Sequence, residues 1–303
     1  MNEEITTQDS PYSFSRPILV MDICTIGIVK ERESILLNED ERKKNRLHQI
    51  IELVKSGKYR FSFILAIIEK ATDVKHPMTG QQMTERFLRD HEMISDLIGV
   101  NNILETTEAL ENIIPRYMSS EFSPEERAEL ALSSYLEQLS FYDSLNVEDK
   151  PKKEKMLSRA KDITDKATAL GIGSGHPVIT VCVAAVCGCK DAWRILRRKR
   201  GVFNPSNALG DIQSFFRMAR VKSLINSKMP GVEVVFRTED EGLENMHKYY
   251  VYDHDIRTGK LNLRLLDTNM MFPLLYDEAG NEDEDMLYEL YEMLSFEKKQ
   301  SLL

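Results

Sequence analysis

The apolar positions of this 303-residue chain recur at helical spacing over most of its length, and short runs with strand character appear at a few places. Pro17 to Met21 is almost wholly apolar and stops at Asp22, the pattern of a central strand covered on both faces. From Asn38 onward Leu47, Ile50, Ile51 and Val54 recur at three and four residues, and Ser56-Gly57 closes that helix. Phe61 to Ala71 reads as a second apolar helix, with Glu69 near its end as an isolated acid.

Residues 72–171 are predicted to be almost entirely helical, with helices near Gln81–Ile98, Asn102–Ile114, Ser123–Tyr142 and Lys152–Leu170. Ser123-Pro124-Glu125-Glu126 has the cap, proline and acidic first turn of a helix start. This block is expected to be a helical insertion or subdomain. Gly171-Ile172-Gly173-Ser174-Gly175 breaks the chain without the strand or spacing of a phosphate-binding loop. Pro177 to Val186 fits a buried helix better than a strand, although its β-branched content supports either. Asp191–Arg200 and Asn207–Asn226 are further helices, with Asp211 in the first turn of the second. The next strand, Val232–Phe236, runs into Thr238-Glu239-Asp240 and a helix through His247. Tyr249–Ile256 and Leu261–Leu266 form a hairpin around Arg257-Thr258-Gly259-Lys260, and an amphipathic helix with Leu287, Leu290, Tyr291 and Leu294 on one face ends the chain.

Composition adds constraints. With 42% hydrophobic and 29% charged residues the chain reads as a soluble globular protein, and its net charge of −9 makes no general claim to nucleic acid. The acidic N-terminus, MNEEITTQDS, lacks a secretory pattern, so residues 1–16 read as a flexible lead-in and the expected location is cytoplasmic, with no membrane partner. Cys24, Cys182, Cys187 and Cys189 have neither disulfide-framework nor zinc-knuckle spacing and read as reduced thiols.

Two acids stand just past two predicted strand ends, Asp22 and Asp240. In a parallel α/β sheet such positions converge outside the carboxyl ends of the strands, however far apart they lie in sequence. A strand closing on Asp22, Glu69 late in the next apolar helix, Asp211 opening a later helix, and a strand entering Thr238-Glu239-Asp240 with Gly242-Leu243 beyond it together resemble the layout of PIN-like nucleases. The resemblance covers residues 17–71 and about 172–248. It implies a three-layer α/β/α core with a parallel sheet, elaborated here by the helical insertion at 72–171 and by the hairpin and helix of 249–303. It implies a metal-dependent nuclease, with RNA as substrate before DNA; a toxin or antiviral effector role would suit so elaborated a member. The chain departs from the family at Asp22-Ile23-Cys24-Thr25, where a Thr-Asn or Thr-Ser type continuation is usual.

On this reading Asp22, Glu69, Asp211 and Asp240 are the catalytic and metal-binding acids for Mg²⁺ or Mn²⁺, with Thr25 and Thr238 supporting them. Carboxylates crowded together repel one another, and a divalent cation relieves that repulsion while activating water and neutralising developing charge. The structural alternatives are capping by Asp22 and by Asp211 at helix starts. Arg194, Arg197, Arg198, Lys199 and Arg200 are the candidate phosphate-tracking residues, with Arg217, Arg220 and Lys222 on a nearby helix; a solvated helix end is the plainer account of such a run. The rival expectation is a noncatalytic interaction protein that holds a partner through the helical block or the C-terminal helix. A phosphatase or other metal hydrolase on the same kind of sheet is a third.

Overall fold

Strand β1, Ile18–Met21, is buried at every residue and lies between two parallel neighbours, β2, Arg60–Ser62, and β3, Val234–Arg237. Ile18 stands opposite both Arg60 and Val234. The computed structural model describes residues 16–37, 39–71, 78–118, 129–148, 150–198, 200–254 and 261–296. Over these the protein is a mostly helical α/β structure built on this small parallel sheet. An apolar strand with no polar face needs cover on both sides, and helices supply it.

Helices α1, Ile23–Lys30, α2, Arg32–Leu37, and α3, Glu41–Lys55, carry the chain from β1 to β2. Asp40 caps α3 by accepting from Lys43 N at 3.1 Å, and Leu47 and Ile50 turn its apolar face inward. The segment expected to be one helix from Phe61 to Ala71 divides: residues 60–62 join the sheet, and only Ile64–Ala71 is helical, as α4. Glu105 explains the division. Its buried carboxylate accepts from Ser62 Oγ at 2.5 Å and from Phe63 N at 3.1 Å, holding the chain at the change from strand to helix. Next to it Ile103 bridges Phe61, and Leu104 N donates to Phe61 O at 2.8 Å, so the outer edge of β2 is covered.

Four longer helices follow: α5, Gly80–Ile98, α6, Thr107–Met118, α7, Glu129–Ser144, and α8, Met156–Ala169. A capping box between Thr79 and Gln82 starts α5. The expected start at Ser123-Pro124 lies outside the described residues. Within residues 72–171, read from the sequence as a helical insertion or subdomain, α5 packs on α1, while α7 and α8 pack on later helices. Met83, Phe87, Met156 and Ile163 share one continuous core with β1. Amphipathic helices of this length have a stripe to bury, and here neighbouring helices receive it.

Helix α9, Pro177–Val186, has all ten residues buried. Proline at its first position and the ring of His176, whose Nδ1 accepts from Val178 N at 3.1 Å, start it as a helix despite its β-branched content. Helices α10, Lys190–Leu196, and α11, Pro205–Lys228, lead to β3, which is followed by α12, Glu241–Tyr249. Strands β4, Tyr250–His254, and β5, Leu261–Leu265, form a separate antiparallel pair packed on α11; the predicted turn at Arg257–Lys260 lies outside the described residues. A short helix α13, Thr268–Met271, precedes α14, Glu284–Leu294, whose Leu287, Leu290 and Leu294 are buried and which packs against α8. Among the described residues no helix is long and apolar enough to cross a membrane.

Glu105 yields a stability prediction. Replacing it with Ala strands two buried donors and is expected to cost about 3 kcal/mol, read from the urea midpoint. Glu105→Gln keeps an accepting oxygen and is expected to lose less than half of that, the more so because burial raises the Glu105 pKa and disfavours its charged form.

Candidate active site

Asp22 leaves β1 at its carboxyl end and opens α1, and three elements hold it there. Its N–H donates to Arg237 O at 3.2 Å, extending the ladder to β3. Its Oδ1 accepts from Thr25 N at 2.7 Å as the cap of α1, and its Oδ2 accepts from Thr238 Oγ1 at 2.5 Å. Thr25 Oγ1 donates to Arg237 O at 3.2 Å, so both threonines tie α1 to the end of β3. Only 5% of Asp22 is exposed.

Glu69 approaches from α4, and its Oε2 accepts from Ile23 N at 2.9 Å. Two carboxylates from distant parts of the chain thus share the first turn of α1, where the helix dipole favours negative charge. That dipole does not compensate for their burial and proximity. Burial raises the Asp22 pKa in spite of its hydrogen bonds from Thr238 and Thr25. Glu69 rises from 4.5 to about 7, through burial first and the charge of Asp22 second, with Arg217 opposing and Asp211 adding to the rise.

Asp211 lies in α11, which begins at Pro205 and is capped by Asn204 accepting from Asn207 N at 3.2 Å. The sequence reading put Asp211 in the first turn; it belongs to the second, so capping does not account for it. Its charge is felt at Glu69 and at Cys24. Cys24 is exposed, and its thiol pKa is pushed up to about 12 by desolvation and then by Asp22, Glu69, Asp211 and Glu239. The thiol therefore senses the charge of all four acids.

Asp240 is placed differently. Its N–H donates to Thr238 Oγ1 at 3.2 Å, and its Oδ1 accepts from Leu243 N at 3.1 Å as the cap of α12. Glu239, beside it, is the acid whose charge couples to Asp22. Arg46 of α3 donates to Glu239 Oε2 at 3.3 Å, to Glu244 Oε2 at 3.1 Å and to the carbonyl of Thr238. Arg237 joins the same network through Glu244, at 3.2 Å, and Gln49, at 2.6 Å. Sequence reasoning missed Glu239 because Thr238-Glu239-Asp240 offers two adjacent acids, and only the start of α12 decides which one becomes a cap.

Two residues of the basic run, Arg194 and Arg198, help to close the fold. Arg194 pairs with Asp191 at 3.0 Å and with Glu241 at 3.8 Å. Arg198 bonds Asp143 Oδ1 at 2.6 Å and Asn146 Oδ1 at 3.0 Å, tying the end of α10 to the end of α7. Arg197 borders a recess of about 250 Å³ beside Trp193 and Tyr142, Arg200 sits in a turn at φ 54°, and Lys199 lies outside the described residues. Arg217, 7% exposed, is the cation that opposes the rise at Glu69, and Arg46 does the same at Asp22.

Among the described residues no three His, Cys, Asp or Glu side chains have the spacing of a preassembled metal cage. Mg²⁺ does not need one, since it keeps several waters and takes one or two carboxylates from a protein. Asp22 and Glu69 suit that mode: they are oxygen donors, and their mutual repulsion is what a cation relieves. Compared with known proteins, the chain matches no family model, and no curated protein or solved structure matches it at a significant level.

Between pH 4.5 and about 7 the folded protein holds a proton on Glu69 that the unfolded chain has released. This group's contribution to stability is therefore complete below 4.5 and is lost as pH rises to 7, by at most about 1.4 kcal/mol per pH unit. Buried His176, lowered to about 4, works in the opposite direction over part of this range. The measurement is the difference between wild type and Glu69→Gln in denaturant titrations without metal. Glu69→Gln is expected to gain stability relative to wild type across that window.

Proposed function

We propose that this protein is a divalent-metal-dependent phosphodiester hydrolase acting on nucleic acid, RNA before DNA, with Asp22 and Glu69 as the acids that hold the cation. The observation that carries the reading is the meeting of these two carboxylates at the carboxyl end of a parallel strand, with the charge of Asp211 felt beside them. The PIN-like layout of the sequence supplies the substrate class. A bound Mg²⁺ or Mn²⁺ would lower the pKa of its water and neutralise charge on the phosphate.

The chain's own residues do the positioning. Thr238 and Thr25 N fix both oxygens of Asp22, so its remaining lone pairs keep a set direction. Ile23 N orients Glu69 in the same way. Arg217 supplies a positive charge that limits the repulsion while no cation is bound. Asp240 drops from the proposed ligands, because it caps α12 and its charge is not among those named as acting on Asp22, Glu69 or Cys24.

A second reading rests on the same bonds: Asp22 and Glu69 act only as caps of α1, and the protein is a noncatalytic binding partner. The two readings separate in an assay with single-stranded and structured RNA and DNA plus Mg²⁺ or Mn²⁺. Cleavage by the wild type is expected, abolished by Asp22→Asn and Glu69→Gln. Thr238→Val is expected to reduce it about 10- to 100-fold. Asp240→Asn is expected to keep it, since Asn caps a helix as well as Asp. A folded wild type that neither cuts nor gains thermal stability from either metal decides for the second reading.

A further inference from the structure

The three-stranded sheet has one covered edge and one open edge. Ile103 and Leu104 cover β2, whereas among the described residues β3 pairs only with β1. In that parallel ladder Glu233 O accepts from Ile18 N and Arg237 O accepts from Asp22 N, so the odd-numbered residues of β3 face β1. The backbone groups of Val234 and Phe236 therefore point to the open edge. The described residues give them no hydrogen-bond partner there. The exposed edge of a strand is normally blunted by lysine, proline or a bulge. Here its centre is Val234-Val235-Phe236, with both valines half-buried and Glu233 exposed.

Arg237 provides a second observation. It is 9% exposed, and its Nε has no hydrogen-bond partner among the described residues although both terminal nitrogens are bonded. Its side chain lines an open recess of about 680 Å³ whose other wall is α3, at Asn45, His48, Gln49, Glu52 and Leu53. A buried guanidinium nitrogen beside such a recess lacks an acceptor, and a buried unpaired donor is costly.

We propose that the open edge of β3 is the contact of a symmetric homodimer, in which β3 pairs antiparallel with β3 of a second copy to give one continuous sheet. The strand selects its own register. With Val235 on the two-fold axis, Val234 of each copy lies opposite Phe236 of the other, and every outward-facing group of both residues is used. That same register sets the exposed Glu233 of one copy opposite Arg237 of the other, bringing a carboxylate to the face where Nε lacks an acceptor. A two-fold contact must be self-complementary, and a strand with an acid at one end, an arginine at the other and apolar residues between meets that condition. The proposal is independent of the hydrolase reading, since the acids lie beyond the strand end.

The test uses the full chain in sedimentation velocity across the micromolar range, with cysteine cross-linking in a Cys24→Ser background. A concentration-dependent dimer is expected. Glu233→Arg, which sets like charges opposite each other twice, is expected to weaken it on the order of tenfold. Val235→Cys is expected to oxidise to a linked dimer, because paired residues on the axis approach closely, and Leu224→Cys, exposed on α11, is not. A wild type that is monomeric throughout overturns the proposal and leaves the edge to an extended segment of another protein. A dimer that is insensitive to Glu233→Arg and gives no linked species with a folded Val235→Cys overturns it as well. Glu233 is exposed, so its variant reports even where a substitution at Val235 perturbs folding.

Discussion

The carboxylate of Asp22 is the constraint on which the central architecture depends. It ends a fully buried strand, caps the helix that follows and receives the hydroxyl of Thr238 from a strand 216 residues further along the chain. Each bond would be ordinary alone. Together they fix the direction in which α1 leaves the sheet and the height at which β3 stops. The ionised form of so buried a group is disfavoured by desolvation, and two short hydrogen bonds offset only part of that cost. An acid retained in such a place, next to a second one, is an expensive way to cap a helix that a serine or threonine would cap as well.

The surrounding cations are distributed unevenly. Arg46 and Arg237 stand on the α3 side and bind Glu239, Glu244 and Gln49, so that positive charge is spent on fixing α3 to the end of β3. Arg217 alone among the cations named around Glu69 lowers its pKa. The result is a local excess of acid between a well-neutralised flank and α11. Partial neutralisation of this kind keeps the fold intact while leaving the Asp22–Glu69 pair under electrostatic tension.

Much of this was legible in the residues. β1 and β3 are short apolar runs that stop at polar residues, and α5, α8 and α14 follow the spacing of their buried positions. β2 was not legible: three residues in Arg60-Phe61-Ser62 adjoin a strongly helical run, and the bond that separates them comes from Glu105, more than forty residues away. Local propensity does not carry a long-range acceptor. Strand-end logic by itself pairs Asp22 with Asp240, which caps α12 instead; Glu69, which the structure brings to the start of α1, is legible only as part of the PIN-like layout. The choice between Glu239 and Asp240 is not legible, because it depends on where α12 begins. The basic run at 197–200 reads as a solvated helix end or a phosphate track, and Arg198 stays exposed while it binds Asp143 and Asn146, partners invisible without the packing of α7.

The sequence separation within the sheet has a consequence for the order of events during synthesis. The first strand and both of its neighbouring acids leave the ribosome early, but the hydroxyl that fixes Asp22 belongs to residue 238, and the carbonyl that receives its N–H belongs to residue 237. Chains grow from the N-terminus at only about 5–20 residues per second, so Asp22 and Glu69 wait many seconds for the segment that orders them. Until then α1 has no fixed exit from the sheet. The Asp22–Glu69 pair is therefore set in its folded geometry only late in the growth of the chain.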